Sequence, residues 1–148
     1  MDVEVLGTHF NINSYTDESA IQTTLLEGSV KVTHLTTHTS QLIKPGQQVT
    51  LSLPKGADNS QLTTTNPDLD QVMAWKEGFF QFDHATADEM LRQLSRWYDV
   101  DVIYEGNKPV KQFGGRINRK LNLSAVLKML ENTGVHFRIE GKTLIVMP

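Results

Sequence analysis

Cysteine is missing from all 148 residues, so disulfides, thiolate metal sites and cysteine nucleophiles are excluded, while the redox compartment stays open. Long apolar runs are missing as well: none approaches the ~20 residues that a membrane-crossing helix needs. Met1 and Asp2 lead straight into a strand-like segment without a basic-then-apolar signal pattern, and any membrane anchor is expected outside these residues. Aromatic side chains are few. The first 65 residues hold only Phe10 and Tyr15, with no tryptophan to stack on a sugar ring. That counts against an envelope carbohydrate-binding module, the alternative reading of this half. Positive charge is also short, with a formal net charge of -3, and nucleic acid is not an expected partner.

Hydrophobic residues at 39% and charged residues at 21% place the chain among folded, globular proteins. Charge is divided unevenly along it. Residues 1–70 carry eight acids and three bases, whereas residues 71–148 carry nine acids and eleven bases, which suggests two units with different surfaces. The first half reads as antiparallel β. Phe10, Ile12 and Ser14 alternate with His9, Asn11 and Asn13, and Ile21, Thr23 and Leu25 repeat the period of two after a polar turn at 16–19. Glu27-Gly28 punctuates the pattern before Val30 and Val32 continue it. Lys44-Pro45-Gly46-Gln47 suits a type II turn, and Val49, Leu51 and Leu53 follow. These strands predict a small sandwich or an irregular β stack over 1–65, with a linker at 54–60.

From residue 66 the period changes. Asn66-Pro67 reads as a helix cap with proline at the first helical position, and Gly78 as the end of that helix. Thr86 and Glu89 have capping-box spacing ahead of a second helix, in which Met90, Leu91, Leu94, Trp97 and Tyr98 share a face. Asn122 caps a third, with Val126, Leu127 and Leu130 facing inward. The segment repeats itself: Met90-Leu91-x-x-Leu94 matches Val126-Leu127-x-x-Leu130, and Val100 to Gly106 matches Val135 to Gly141. Each copy is strand–helix–strand. The predicted fold is α+β: an antiparallel all-β domain over 1–65, then a duplicated βαβ domain over 66–148. Its two helices are expected on one face of a mixed sheet, with a last hairpin strand at 144–147.

No convergent catalytic set is visible, and an enzyme, cofactor or metal is not expected. His34 and His38 are four apart, but their threonine-rich context is a loop, which suggests solvated histidines rather than metal ligands. Asp99 and Asp101 read as a solvated strand start rather than a glycosidase carboxylate pair. Gly114-Gly115 lacks a phosphate-binding context, so a bulge or close backbone approach explains it. Arg116, Arg119 and Lys120 form a basic cluster, either a solvated rim or a patch for an acidic protein partner. Trp97 and Tyr98 read as core.

Two sets of residues resemble a known family. Val5-Leu6-Gly7-Thr8-x-Phe10-x-Ile12, Leu25-x-Glu27-Gly28-x-Val30-x-Val32 and Leu42-x-x-Pro45-Gly46-Gln47 resemble the periplasmic domain of FecR-like anti-sigma regulators. Trp75-x-x-Gly78-x-x-x-Phe82 and Leu91-x-x-Leu94-x-x-x-Tyr98-x-Val100 resemble the domain that follows it. The resemblance covers nearly the whole chain. It implies a periplasmic region of a protein anchored in the inner membrane, with the FecR-type β domain truncated at its N-terminus. It also implies that the second domain is similar to the small signalling domain of secretins and TonB-dependent receptors.

The implied partner is the N-terminal signalling domain of a TonB-dependent outer-membrane receptor. A sigma factor would be met only through an absent cytoplasmic segment, and these residues would make no direct membrane contact. In some members the threonine of the motif matching Gly7-Thr8 attacks the preceding carbonyl in a self-cleaving acyl shift, which makes this pair a further candidate. For the partner, an incoming strand is expected at an exposed sheet edge. The candidates are the strand of Phe113, Gly114, Gly115, Arg116 and Ile117, flanked by Arg119 and Lys120, and the last strand with Leu144 and Val146.

Overall fold

The computed structural model describes residues 1–54 and 60–148, so most of the linker expected at 54–60 lies outside the described residues. The chain has an α+β fold and divides into two compact units, Met1–Met73 and Ala74–Pro148.

The first unit is one antiparallel sheet built around a long strand. Strands β1 (Asp2–Asn13), β2 (Ala20–Thr33), β3 (Ser40–Ile43), β4 (Gln48–Ser52) and β5 (Leu62–Thr65) lie in the order β1-β2-β4-β5, with β3 also on β2. β2 is 14 residues long, enough to pair with three neighbours. Leu25, Val30, Val32, Ile43 and Val49 are buried together, and Val3, Phe10 and Leu62 pack against them. Burying such side chains stabilises by about 1.5–3 kcal/mol each. Gly46 has φ +87, and the Gln47 amide donates to the Lys44 carbonyl at 3.0 Å, the type II turn expected there.

Helix α1 (Leu69–Met73) is shorter than the spacing predicted. Its cap is Asp68 rather than Asn66: the Asp68 Oδ1 accepts the Asp70 and Gln71 amides at 2.9 and 3.4 Å. A carboxylate placed two residues from a free amide satisfies it at once, and Pro67 then sits outside the helix.

The second unit runs β6 (Phe79–Thr86), α2 (Ala87–Tyr98), β7 (Asp101–Tyr104), β8 (Gln112–Asn118), α3 (Leu123–Glu131), β9 (His136–Glu140) and β10 (Thr143–Met147). The Thr86–Glu89 capping box starts α2, and Asn122 accepts the Ala125 amide at 2.8 Å to start α3. The two repeat motifs supply equivalent parts of one core, in which Met90, Leu91 and Leu94 are buried with Val126, Leu127 and Leu130.

The expected mixed sheet is three-stranded. β10 lies at its centre, parallel to β7 and antiparallel to β9. β6 and β8, the first strands of the two copies, pair separately as an antiparallel ribbon. Among the described residues no helix is long and apolar enough to cross a membrane.

Candidate partner-binding edge and basic cluster

The β6–β8 ribbon owes its position to alternation. Phe80 and Phe82 from β6, and Phe113 and Ile117 from β8, point into the core. Phe79, Gln81, Arg116 and Asn118 occupy the alternate positions. Phe79 pairs with Asn118 and Gln81 with Arg116. Beyond them the Arg119 amide donates to the Gly78 carbonyl at 3.0 Å, which sets the phase of the ladder. In an antiparallel pair the hydrogen-bonded positions alternate, so the backbone N–H and C=O of Arg116 face away from β6.

β8 has no second strand beside it among the described residues. Gly114 and Gly115 are exposed on that strand, and a Cβ at Gly115 would meet nothing within 4 Å. The edge is therefore open and sterically bare.

The other edge of the ribbon is blunted. Two β6 residues, Asp83 and His84, stand opposite Gly114 at a register shift, and His84 has φ +50. Such a bulge twists an edge away from further pairing.

The last strand is a correction to the sequence reading. β10 is paired on both sides, and Leu144 and Val146 are buried on its inner face. No backbone donor row is left there for an incoming strand. The sequence shows a hairpin at Gly141-Lys142, but not that β7 closes the far side in parallel.

The basic cluster separates into three roles. The Arg119 guanidinium lies over the rings of Phe80 and Trp97, at 4.3 and 5.0 Å from their centroids, and its Nε donates to the Phe79 carbonyl at 3.1 Å. The Trp97 Nε1 donates to the Arg119 carbonyl, and the Tyr98 hydroxyl donates to the Leu121 carbonyl. Arg119 thus ties the end of α2 to the end of β8. Trp97 is not core as expected but 51% exposed, one ring face held by this arginine. Burial raises the Tyr98 phenol above its ordinary range.

Arg116 lies over the Phe79 ring at 3.9 Å and reaches Glu77 Oε2 at 2.9 Å. Lys120 is exposed, and its amide donates to Asn118 Oδ1. No sequence signal paired Glu77 with Arg116, because 39 residues separate them and the ribbon register brings them together.

The remaining candidates have structural places. Gly7 (φ +57) and Gly28 (φ +91) face each other at an irregularity in the β1–β2 ladder. The Thr8 hydroxyl lies 3.0 Å from both the Leu6 and Ser29 carbonyls, and a Cβ on Gly28 would fall 2.9 Å from it. The Gly7-Thr8 and Glu27-Gly28 motifs are thus the two sides of one bulge, and Leu25 receives the turn of the third motif through Gly46 and Gln47.

His34 is buried rather than solvated. Its Nδ1 accepts the Thr36 and Thr37 amides at 3.2 Å each, and its Nε2 lies 2.6 Å from the Ser60 hydroxyl. A ring that accepts at Nδ1 carries its proton on Nε2, which then donates to Ser60. Among the described residues no group of three His, Asp or Glu side chains is placed to hold a metal. Asp99 closes α2 in the left-handed conformation and pairs with Lys142 at 2.7 Å, which raises the lysine above its usual range. At the start of α2, Asp88 accepts from the Tyr104 hydroxyl and from Lys108 Nζ. Those bonds hold its carboxyl below the usual range, while burial and then the Asp88 bond push the Tyr104 phenol well above its own.

Residues 79–146 match the family described as FecR, C-terminal. Two crystal structures of a candidate anti-sigma factor from Parabacteroides distasonis, at 1.65 and 2.50 Å resolution, share the fold with a TM-score of 0.78 and 23% identity. They match 97% and 98% of this chain, which spans 66% of theirs. At that identity the likeness is one of fold. No curated protein matches the sequence significantly. The matched segment is the duplicated unit from β6 to β10, just under half of the chain, and it is this unit that is similar to the FecR C-terminal family.

Proposed function

We propose that this chain is the periplasmic sensor part of a membrane-anchored anti-sigma factor. In this reading the unit Ala74–Pro148 binds the N-terminal signalling domain of a TonB-dependent outer-membrane receptor, and the signal passes to an extracytoplasmic-function sigma factor through a segment outside these residues. The FecR C-terminal match over 79–146 carries the proposal, and the fold shared with a candidate anti-sigma factor supports it. Within that unit the open edge of β8 is the docking position. It offers the outward N–H and C=O of Arg116 beside two side-chain-free residues, with Arg119 and Lys120 at its end. Main-chain bonds along such an edge give affinity, and flanking side chains give specificity.

Calorimetric titration with the signalling domain of the receptor encoded beside this protein tests both parts. Saturable binding is expected. Arg116→Ala should weaken it, and Arg116→Pro should abolish it, because proline also removes the outward amide and fills the edge. Equal binding by the alanine and proline variants would show that the partner docks elsewhere.

A further inference from the structure

We propose that Glu77 is an internal competitor for an acidic residue of the docking partner, holding Arg116 away from the β8 edge until the partner arrives. This rests on the reading of β8 as the docking edge and names the chemistry that the edge selects. Three observations carry it. Arg116 has its backbone on the open edge, yet its guanidinium leans inward over Phe79 to Glu77. Both members of that pair are about half exposed, with side-chain exposures of 48% and 65%, so water and salt already weaken it and a better-placed carboxylate can replace it. The end of the ribbon is otherwise basic, with Arg119 and Lys120 three and four residues beyond Arg116.

A residue opposite Arg116 on an added strand would have its Cβ about 5 Å from the Arg116 Cβ. An Asp or Glu there reaches the guanidinium once it swings off Phe79. An apolar or basic residue there leaves the Glu77 pair intact and gains nothing. The partner strand is therefore acidic at this position, and Glu77 lowers the affinity of such a partner by the cost of its displacement.

The test is a double-mutant cycle, by titration with the same receptor signalling domain, on the wild type, Glu77→Gln, Arg116→Gln and the double variant. Glu77→Gln should tighten binding about two- to fivefold, the range of an exposed ion pair. Arg116→Gln should weaken binding, and in its background Glu77→Gln should have no effect. Wild-type binding should also weaken as salt rises from 50 to 500 mM, less steeply in Arg116→Gln. Glu77→Gln binding no tighter than wild type would overturn the proposal while leaving the docking edge in place. So would a gain that persists without Arg116, which would mark a general charge effect. Absence of binding by all four folded chains would overturn the receptor-sensing reading itself, and this inference with it.

Discussion

Phe80 is the residue at which the core of the second unit and its candidate binding surface meet. It is fully buried, and its ring stacks on Phe82 at 6.2 Å, meets Trp97 edge-on at 6.4 Å and Tyr98 at 6.3 Å, and carries Arg119 above it. Truncation to alanine costs about 3–5 kcal/mol for a buried phenylalanine. The unit has 75 residues, and at about 0.05–0.15 kcal/mol per residue its total stability is about 4–11 kcal/mol. Phe80→Ala therefore removes a large share of it.

The sharper test is Phe80→Leu, which keeps most of the volume and loses the ring. Aromatic pairs are worth about 0.5–1.5 kcal/mol each beyond area, and the guanidinium contact about 0.5–1 kcal/mol. Part is recovered by repacking, leaving an expected loss of about 2 kcal/mol. Urea unfolding followed by tryptophan fluorescence reads it, since Trp75 and Trp97 both lie in the unit Ala74–Pro148. With a slope near ~1 kcal/mol per M, the midpoint should fall by about 2 M. A fall under about 0.5 M at unchanged slope would show that ring geometry contributes nothing, and the role given to Arg119 would fail too.

Gly28→Ala should destabilise the first unit by about 2 kcal/mol or more, because φ is +91 and the added Cβ meets Thr8 at 2.9 Å. Thermal unfolding by circular dichroism measures this, and a neutral variant would refute the bulge geometry. His34→Ala should cost about 2 kcal/mol by leaving the Thr36 and Thr37 amides without their acceptor. Hydrogen exchange should show both amides losing protection. Tyr104 has its pKa raised by folding, so the stability it contributes is complete below pH ~10 and is lost as the pH rises beyond that. Tyr104→Phe should flatten the alkaline decline, leaving a smaller one from Tyr98, whose pKa is raised in the same direction. Asp88 carries the opposite sign, and its contribution fades as the pH falls below ~4. A decline between pH 9 and 12 that is the same in wild type and Tyr104→Phe would sink the assignment.

Local chemistry was legible wherever neighbours in sequence are neighbours in space. The Thr86–Glu89 box, the Asn122 cap, the turn at Gly46 and the hairpin at Gly141 each satisfy backbone groups within a few residues, so composition and spacing determine them. The repeat was legible because each copy must bury the same helical face. Asn66 was misread as a cap because two acceptors stood close together, and only the backbone decides that Asp68 reaches the free amides.

Strand pairing is different, since partners far apart in the chain are selected by register and not by local preference. Whether Leu144 and Val146 form an edge or a centre depends on where β7 packs, and tertiary structure placed β7 beside them. His34 read as a solvated loop residue because its partner Ser60 lies 26 positions away. Arg116 and Glu77 were visible as charges, but only the β6–β8 register made them a pair. Sequence alone determined most of the elements, the caps of α2 and α3 and the family resemblance. The three-dimensional fold decided which edge stays open and which charge guards it, because both follow from contacts that no local pattern encodes.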